Sequence, residues 1–211
     1  MIGASEGAEH WTGPEVELPA CAALCRRMTG EEFEACVMTN PANGALIGRL
    51  AGLGLGDCYL TAGCLYQTVW NQLSGRPPEW GIKDYDIFYF DDGDLSWEAE
   101  DRVIRVVDQA TSDLGIKVEV RNQARVHLWY PARFGGDCPA FKTVREGIDS
   151  FLIACTCVGI DVDTGAIHAP HGFADLAAGL LRMNPLNPRP EQFHAKAVSV
   201  RERWPWLTIE L

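Results

Sequence analysis

Two carboxylates separated by a single residue are the strongest chemical signal in the sequence. Asp84 and Asp86 open the segment DYDIFYFD (84–91), which is dense in aromatic and branched residues and therefore predicts a β-strand. Because successive side chains of a strand point to opposite faces, both aspartates share a face with Phe88 and Phe90. Carboxylates on an apolar face repel each other unless a cation neutralises them, and paired oxygen ligands suit Mg²⁺. The alternative is two exposed aspartates at a strand start, each satisfied by loop amides.

A third carboxylate, Glu119, stands within the alternating segment IKVEVR (116–121), which predicts another strand. If this strand lies beside the first one, the three carboxylates form a cluster. Such clusters hold two Mg²⁺ ions in phosphoryl transfer. Since Lys117 and Arg121 share the face of Glu119, a solvent face of alternating charge is the alternative interpretation.

A glycine turn precedes these two strands in the chain. Residues 58–61 predict a short buried strand, which runs through Gly63-Cys64 into a helix ending near Ser74. A helix N-terminus offers free N–H groups and a partial positive charge to a phosphate. The turn is therefore a candidate phosphate-binding element.

The remaining patterns predict a mixed α and β domain. Helix-start signals at Thr29, Asn40-Pro41, Ser96 and Thr143 each precede a helical segment. Further predicted elements are a hairpin over 158–163 and 166–167, a helix over 173–180 and a last helix over about 191–203. We expect an N-terminal arm over 1–28 and a single domain over 29–211.

Composition and charge exclude several classes of protein. The 211 residues carry 18 Lys and Arg against 29 Asp and Glu, a formal charge of −11, which disfavours a protein that coats long nucleic acid. No basic start followed by an apolar run and no membrane-spanning stretch is visible, so we expect a cytoplasmic protein without membrane contact. The eight cysteines are expected to be free thiols, because their spacing completes no zinc framework.

The order of these elements resembles the nucleotidyltransferase superfamily, whose fold is polymerase-β-like. The elements are a strand, a glycine turn, a helix, a strand with two aspartates and a strand with one glutamate. The chain looks like a member of a bacterial nucleotidyltransferase-like family of largely unassigned function. The resemblance rests on four segments, TAGCLYQTVWNQL (61–73), GIKDYDIFYFDDGDLSWEAED (81–101), KVEVRNQARVHLWYPARFG (117–135) and HAPHGFADLAAGLLRMNP (168–185).

The resemblance implies an α+β nucleotidyltransferase-like fold with a central mixed β-sheet flanked by α-helices. It also implies that Asp84, Asp86 and Glu119 are catalytic and hold Mg²⁺ or Mn²⁺, and that Gly63 and Cys64 form the phosphate-facing turn. The turn is usually Gly-Ser in the superfamily, so Cys64 removes a hydroxyl, and Gly63 and Asp84 are 21 positions apart, which is longer than usual.

Other nucleotide-binding candidates follow from side-chain chemistry. Guanidinium and ammonium groups match phosphate oxygens, and carboxamides can contact a base or sugar. The candidates for triphosphate are Lys83, Arg121, Arg125 and Arg133, and those for base or sugar are Asn122 and Gln123.

The reaction expected from this resemblance moves a nucleoside monophosphate from an NTP to an acceptor, by a two-metal in-line mechanism. The acceptor is unknown, and a small molecule or a protein side chain is preferred over long nucleic acid because of the acidic charge. The alternative is a non-catalytic nucleotide- or metal-binding module of the same fold that acts through protein contacts.

Overall fold

The computed structural model describes residues 28–210. The predicted N-terminal arm over 1–28 therefore lies outside the described residues except for Met28, as do Cys21 and Cys25. The division into this arm and one domain over 29–211 stays a prediction.

A five-stranded mixed sheet organises the described residues. Its strands in spatial order are β3 (Val118–Asn122), β2 (Tyr85–Phe90), β1 (Asp57–Thr61), β4 (Gly159–Asp161) and β5 (Ile167–His168). β2 and β3 pair in parallel, whereas the other neighbours are antiparallel. The strands β6 (Leu180–Arg182) and β7 (Thr208–Glu210) form a separate parallel pair. The predicted strands and the hairpin are confirmed, with β2 starting one residue after Asp84.

Helices connect and cover the strands. They are α1 (Gly30–Val37), α2 (Pro41–Leu50), α3 (Gly63–Leu73), α4 (Trp97–Thr111), α5 (Val126–Phe134), α6 (Val144–Asp149), α7 (Ala174–Ala178) and α8 (Pro190–Arg203). The capping box predicted at α1 is present, since Thr29 and Glu32 exchange hydrogen bonds between side chain and backbone. Across residues 28–210, no helix has both the length and the hydropathy needed to cross a membrane.

The two faces of β2 have different surroundings. Tyr85, Ile87 and Tyr89 point into the main core, which is shared with residues of α1 to α4 and is sealed from solvent. The opposite face carries Phe88 and Phe90, which pack against a smaller cluster around α6. This alternation follows from the two-residue period of a strand. The face that carries Asp86 is the one left partly open.

The C-terminal helix α8 is fixed to α3 by Trp204. This side chain is fully buried, its Nε1 donates to Asn71 Oδ1 over 3.0 Å, and its ring centroid lies 5.5 Å from that of Trp70. The backbone carbonyl of Arg203 also accepts a hydrogen bond of 2.7 Å from Arg76. α8 therefore has a defined position relative to the sheet.

We expect Trp204→Ala to lower the free energy of unfolding by about 3–5 kcal/mol, because it leaves a cavity and an unpaired Asn71 amide oxygen. Urea unfolding followed by circular dichroism measures the change. The matched control is Trp206→Ala, since Trp206 is 39% exposed and its loss should cost much less. Equal losses in the two variants would contradict this account.

Candidate functional site

Asp86 lies in the middle of the sheet, between two other polar positions. In the strand register it faces Thr61 of β1 on one side and Glu119 of β3 on the other. The parallel pairing of β2 with β3 therefore brings Asp86 and Glu119 together, as the sequence predicts. Asp84, two residues earlier, stands just before the strand, and its carboxylate lies 3.9 Å from the Lys117 ammonium.

The next row of the sheet places Phe88 of β2 beside Arg121 of β3. Two residues further on, Gln123 begins a short 3-10 turn that follows β3. Asp86, Phe88, Arg121 and Gln123 all line one cleft of about 800 Å³. The floor of this cleft therefore changes from acidic at Asp86 of β2 to basic at Arg121 of β3 and then to neutral polar at Gln123.

The walls of the cleft are rich in aromatic rings. α5 and α6 contribute one part of the wall, and α8 contributes Gln192, Ala195 and Lys196 from successive turns. The aromatic lining residues are Tyr66, Phe88, Trp129, Tyr130, Phe141 and Phe151. A concave, largely apolar space with a few convergent polar groups is typical of a small-molecule site.

The charged groups that line the cleft are mostly cationic, although the whole chain is acidic. They are Arg121, Arg133 and Lys196, with Asp86 as the carboxylate. Guanidinium and ammonium groups at these positions complement an anionic ligand such as a phosphate chain. The charged side chains that line the cleft are therefore mainly positive, although the net charge of the chain is −11.

Asp86 is the most strongly perturbed carboxylate near the cleft. Burial raises its pKa from 3.8 to about 7, the negative charges of Asp84 and Glu119 add to this effect, and Arg121 and Lys196 oppose it. A carboxylate with such a pKa in a cleft is typical of functional sites. A bound cation would favour the ionised form.

Glu119 already has cationic partners on its own strand. Its carboxylate accepts a hydrogen bond from Lys117 and lies 3.3 Å from Arg121. The Lys117 ammonium holds the pKa of this carboxyl below its usual range, and Arg121 contributes to the effect. Glu119 therefore neighbours Asp86 in the strand register and also belongs to a row of alternating charge, and its predicted role as a metal ligand stays a prediction.

The glycine turn is closely packed. A Cβ at Gly63 would lie 2.5 Å from Gln67 Nε2, so only glycine fits there without moving Gln67. Cys64 is fully buried and its thiol donates to the Thr61 carbonyl over 3.1 Å. Burial raises the pKa of the Cys64 thiol well above its usual value. The Cys64 side chain is thus turned into the core rather than toward the cleft.

Asn122 and Arg125 are held by contacts within the protein. The Asn122 carboxamide bonds to the backbone of Asp91 and Ala124, and Arg125 forms a buried ion pair with Glu100. Neither residue lines the cleft, so the structure does not bring them together with Asp86. Both have structural contacts that account for their polarity, and their predicted contact with nucleotide has no geometric support.

Several lining residues received no role from the sequence. Lys196 and Gln192 lie four residues apart on α8, and a polar helix surface gives no sign of what it faces. Lys83, which was predicted to bind nucleotide, is exposed and stands outside the residues that line the cleft. By contrast Arg121, Arg133 and Gln123 reach the cleft, and their roles there stay predictions.

The carboxylates provide a donor set that fits Mg²⁺ or Mn²⁺. Within residues 28–210, no group of three or more His, Cys, Asp or Glu side chains is arranged to hold a metal ion. Mg²⁺, however, commonly uses one or two carboxylates together with phosphate oxygens of the substrate and water. Asp84 and Asp86 supply such a pair of hard oxygen ligands, and the pKa of Asp86 is raised chiefly by burial and further by the neighbouring carboxylates.

The cysteines provide no comparable site. In the described part of the chain, Cys36, Cys58, Cys64, Cys138, Cys155 and Cys157 are free thiols, as predicted for these six. Burial raises the pKa of Cys58 and of Cys157 to about 12, so both are protonated and unreactive at neutral pH.

Comparison with known proteins identifies relatives of this arrangement. A family model described as "Nucleotidyltransferase" matches residues 48–209, which is more than half of the chain. None of the curated protein sequences matches the chain significantly.

Solved structures show a similar fold. An NMR structure described as revealing a CCA-adding enzyme head domain has a TM-score of 0.69 and 20% identity, covering 89% of this chain and 98% of the other. A tRNA-processing enzyme in an apo form has a TM-score of 0.50 and 14% identity, covering 81% of this chain and 44% of the enzyme. A complex of a CCA-adding enzyme with CTP has a TM-score of 0.47 and 11% identity, covering 88% and 44%. The first likeness confirms the predicted α+β fold.

We expect the free energy of unfolding of the cation-free protein to fall as the pH rises from about 4 to about 7. The reason is that Asp86 has a higher pKa in the folded chain than its ordinary 3.8. The folded state then binds more protons than the unfolded state in this range. Asp86→Asn should remove this contribution and raise the free energy of unfolding at pH 8 by about 1–2 kcal/mol.

Urea unfolding in the presence of a chelator, repeated from pH 4 to pH 8, measures both effects. The control is Asp92→Asn at an exposed position, which should retain the wild-type pH dependence. An Asp86→Asn protein with unchanged pH dependence would show that Asp86 is not responsible.

Strained backbone borders the cleft at Ala62. Among the described residues Ala62 is the only non-glycine residue with positive φ, at φ 62° and ψ −136°. This conformation is costly for a residue with a Cβ. We expect Ala62→Gly to raise the free energy of unfolding by about 1 kcal/mol, whereas Ala99→Gly inside α4 should lower it by a similar amount. A loss of stability in both variants would argue against strain at Ala62.

Proposed function

Because the chain belongs to the nucleotidyltransferase family, we propose that it moves a nucleoside monophosphate from an NTP to a small polar acceptor with the help of a divalent cation. The family and the fold support transfer that uses an NTP. Beyond the family and the fold, we propose the class of acceptor, the divalent cation and the mechanism.

One observation carries the proposal: a carboxylate with a strongly raised pKa shares a cleft with three cationic side chains. Asp86 lies on the floor, and Arg121, Arg133 and Lys196 line the same space. A triphosphate needs cationic partners for its oxygens, and its transfer needs carboxylates at the reacting phosphorus. The cleft combines both requirements.

The proposed reaction is a single displacement at the α-phosphorus. A hydroxyl or amine of the acceptor forms a bond to this phosphorus, and the bond to the oxygen that bridges to the β-phosphorus breaks. Pyrophosphate leaves with that electron pair, and the proton of the acceptor passes to solvent. The chemistry supplied by a bound divalent cation is the neutralisation of charge on phosphate oxygens, with Asp84 and Asp86 as its protein ligands.

The protein's own residues then act by position and charge. Arg121 and Lys196 approach Asp86 closely enough to influence its pKa, so both stand near the phosphates of a nucleotide in this orientation. The aromatic rings of the wall exclude water from the ligand, which strengthens these electrostatic interactions.

A second compartment adjoins the cleft and suits a small acceptor. It has a volume of about 330 Å³ and shares Val126, Tyr130, Phe141, Ser150 and Asn187 with the cleft. Glu146 and Asp149, on adjacent turns of α6, line it as well. Arg189 lines the same compartment, Asp149 pairs with His168 and Glu146 accepts from the Lys142 N–H. The compartment therefore offers both acidic and basic groups, which suits a small polar acceptor.

A non-catalytic module of the same fold is the second candidate function. The observation in its favour is that Glu119 already pairs with Lys117 and Arg121, so the carboxylates available to a cation are a pair rather than a group of three. Such a protein would bind nucleotide without turnover.

We expect an NTP and Mg²⁺ together to raise the melting temperature of the wild-type protein, because binding to the folded state stabilises it. Asp84→Asn/Asp86→Asn should lose the part of the shift that depends on Mg²⁺. Thermal-shift titrations with each NTP, with and without Mg²⁺ or Mn²⁺, measure this.

The control is Asp92→Ala, an exposed carboxylate outside the cleft, which should respond like the wild type. Absence of a shift with all four nucleotides would contradict the proposal. Nucleotide binding without pyrophosphate release, in the presence of a panel of polyols and amines, would instead favour the non-catalytic module.

A further inference from the structure

Two opposite charges line the second compartment without an ionic partner. Arg189 and Glu146 both line this space. Among residues 28–210, Arg189 forms no ion pair with a carboxylate, and Glu146 forms none with a cationic side chain. The third charged lining residue, Asp149, differs because its carboxylate lies 2.6 Å from His168 Nε2. The compartment therefore keeps one positive and one negative group for a ligand.

The Arg189 guanidinium is held in one position by its neighbours. Its Nη1 donates to the Tyr130 hydroxyl over 2.9 Å, and its Nη2 donates to the Asp137 carbonyl over 2.7 Å. Its Cζ atom also lies 5.0 Å from the centroid of the Tyr130 ring, which is a favourable place for a cation. A guanidinium carries more N–H groups than these two hydrogen bonds use. Arg189 can therefore bind a carboxylate without first losing an ion pair.

The Glu146 carboxylate is fixed by the segment that precedes α6. Its Oε2 atom accepts a hydrogen bond of 2.7 Å from the Lys142 N–H, and the Glu146 N–H donates to the Thr143 hydroxyl over 3.2 Å. No described residue donates to the other carboxylate oxygen, Oε1. An ammonium group of a ligand is a suitable donor to this oxygen, because a hydrogen bond between opposite charges is a strong one. Glu146 is exposed and Arg189 is half-buried, so a ligand can reach both groups from solvent.

The second compartment meets the cleft at polar residues. Ser150 and Asn187 line both spaces. The Ser150 hydroxyl donates to the Gly147 carbonyl over 2.7 Å, and Asn187 Nδ2 donates to the Ser150 carbonyl over 2.5 Å. These hydrogen bonds hold the boundary in place. A ligand bound between Arg189 and Glu146 can therefore direct a third polar group toward the space that we propose for the nucleotide.

We propose that the acceptor is a hydroxy amino acid, whose carboxylate binds Arg189 and whose ammonium group binds Glu146. The inference rests on the proposed function. The hydroxyl oxygen forms the new bond to the α-phosphorus, and the bond from this phosphorus to the bridging oxygen breaks. Pyrophosphate leaves with that electron pair, and the hydroxyl proton passes to solvent. An ammonium group is a donor without a lone pair, so its binding to Glu146 leaves the hydroxyl as the nucleophile.

Pyrophosphate release with each NTP and Mg²⁺ measures the choice of acceptor. We expect L-serine, L-threonine or L-homoserine to give a kcat/KM at least about tenfold higher than analogues that lack one of the groups, because each lost group removes a charge-assisted hydrogen bond or the nucleophile. The analogues are N-acetyl-L-serine without the ammonium group, L-serinamide without the carboxylate and L-alanine without the hydroxyl.

Two variants assign each charge of the acceptor to its partner. Arg189→Gln should lower kcat/KM for the amino acid by about tenfold to a hundredfold and remove its advantage over the amide. Glu146→Gln should remove the advantage over the N-acetyl analogue instead. A purely structural effect would lower kcat/KM for the amino acid and its analogues equally. The matched control is Lys142→Gln, an exposed side chain outside the lining, which should keep both ratios, and circular dichroism shows whether each variant is folded.

The outcomes separate this inference from the function on which it rests. If a polyol or a simple amine supports pyrophosphate release and the hydroxy amino acids do not, the inference is wrong and the proposed function stands. The same holds if either variant keeps the wild-type ratios. If no nucleotide binds, or if nucleotides bind without release in the presence of any acceptor, the proposed function itself fails, and the inference fails with it.

Discussion

The placement of a carboxylate in the middle of a sheet is the constraint on which the rest of the site depends. Asp86 has a strand on each side and is only partly exposed, so burial disfavours its charged form. Its charge is tolerated only where other groups compensate it, and the cations that influence it come from β3 and from the distant helix α8. The position of Asp86 therefore explains why residues more than a hundred positions apart must meet at one cleft.

The two faces of the sheet are covered to different extents, and this leaves room for the groups that surround Asp86. One face is sealed by α1 to α4 over a continuous apolar core, which supplies most of the hydrophobic stabilisation. The other face carries only a small cluster and leaves room for a ligand. Trp204 connects the two, because it buries the end of α8 against α3 while the middle of the same helix lines the cleft. The helix α8 thus contributes both to the stability of the fold and to the lining of the cleft.

Local patterns in the sequence were sufficient for the strands, the capping box of α1 and the pairing of Asp86 with Glu119. The alternation of a strand and the preferences of turn residues involve only a few neighbouring positions, so they can be recognised from the sequence without knowledge of the fold. The helix α5 was not predicted, because Pro131 interrupts its pattern and only a 3-10 turn separates it from β3. The contacts of Asn122 and Arg125 could not be predicted either, since their partners Asp91 and Glu100 lie more than twenty residues away. Burial of a polar residue depends on such distant neighbours.

Gln123 packs so closely on Gly147 of α6 that an added Cβ there would lie 2.2 Å from Gln123 Oε1, and this limits how the sequence can change over time. The space for the Gln123 side chain exists only because residue 147 has no side chain, so Gly147 is not free to change while Gln123 is kept. A change at 147 to any residue with a Cβ requires a shorter side chain or a new backbone path at 123. Within the family, a residue with a Cβ at position 147 should therefore occur together with a shorter side chain at position 123.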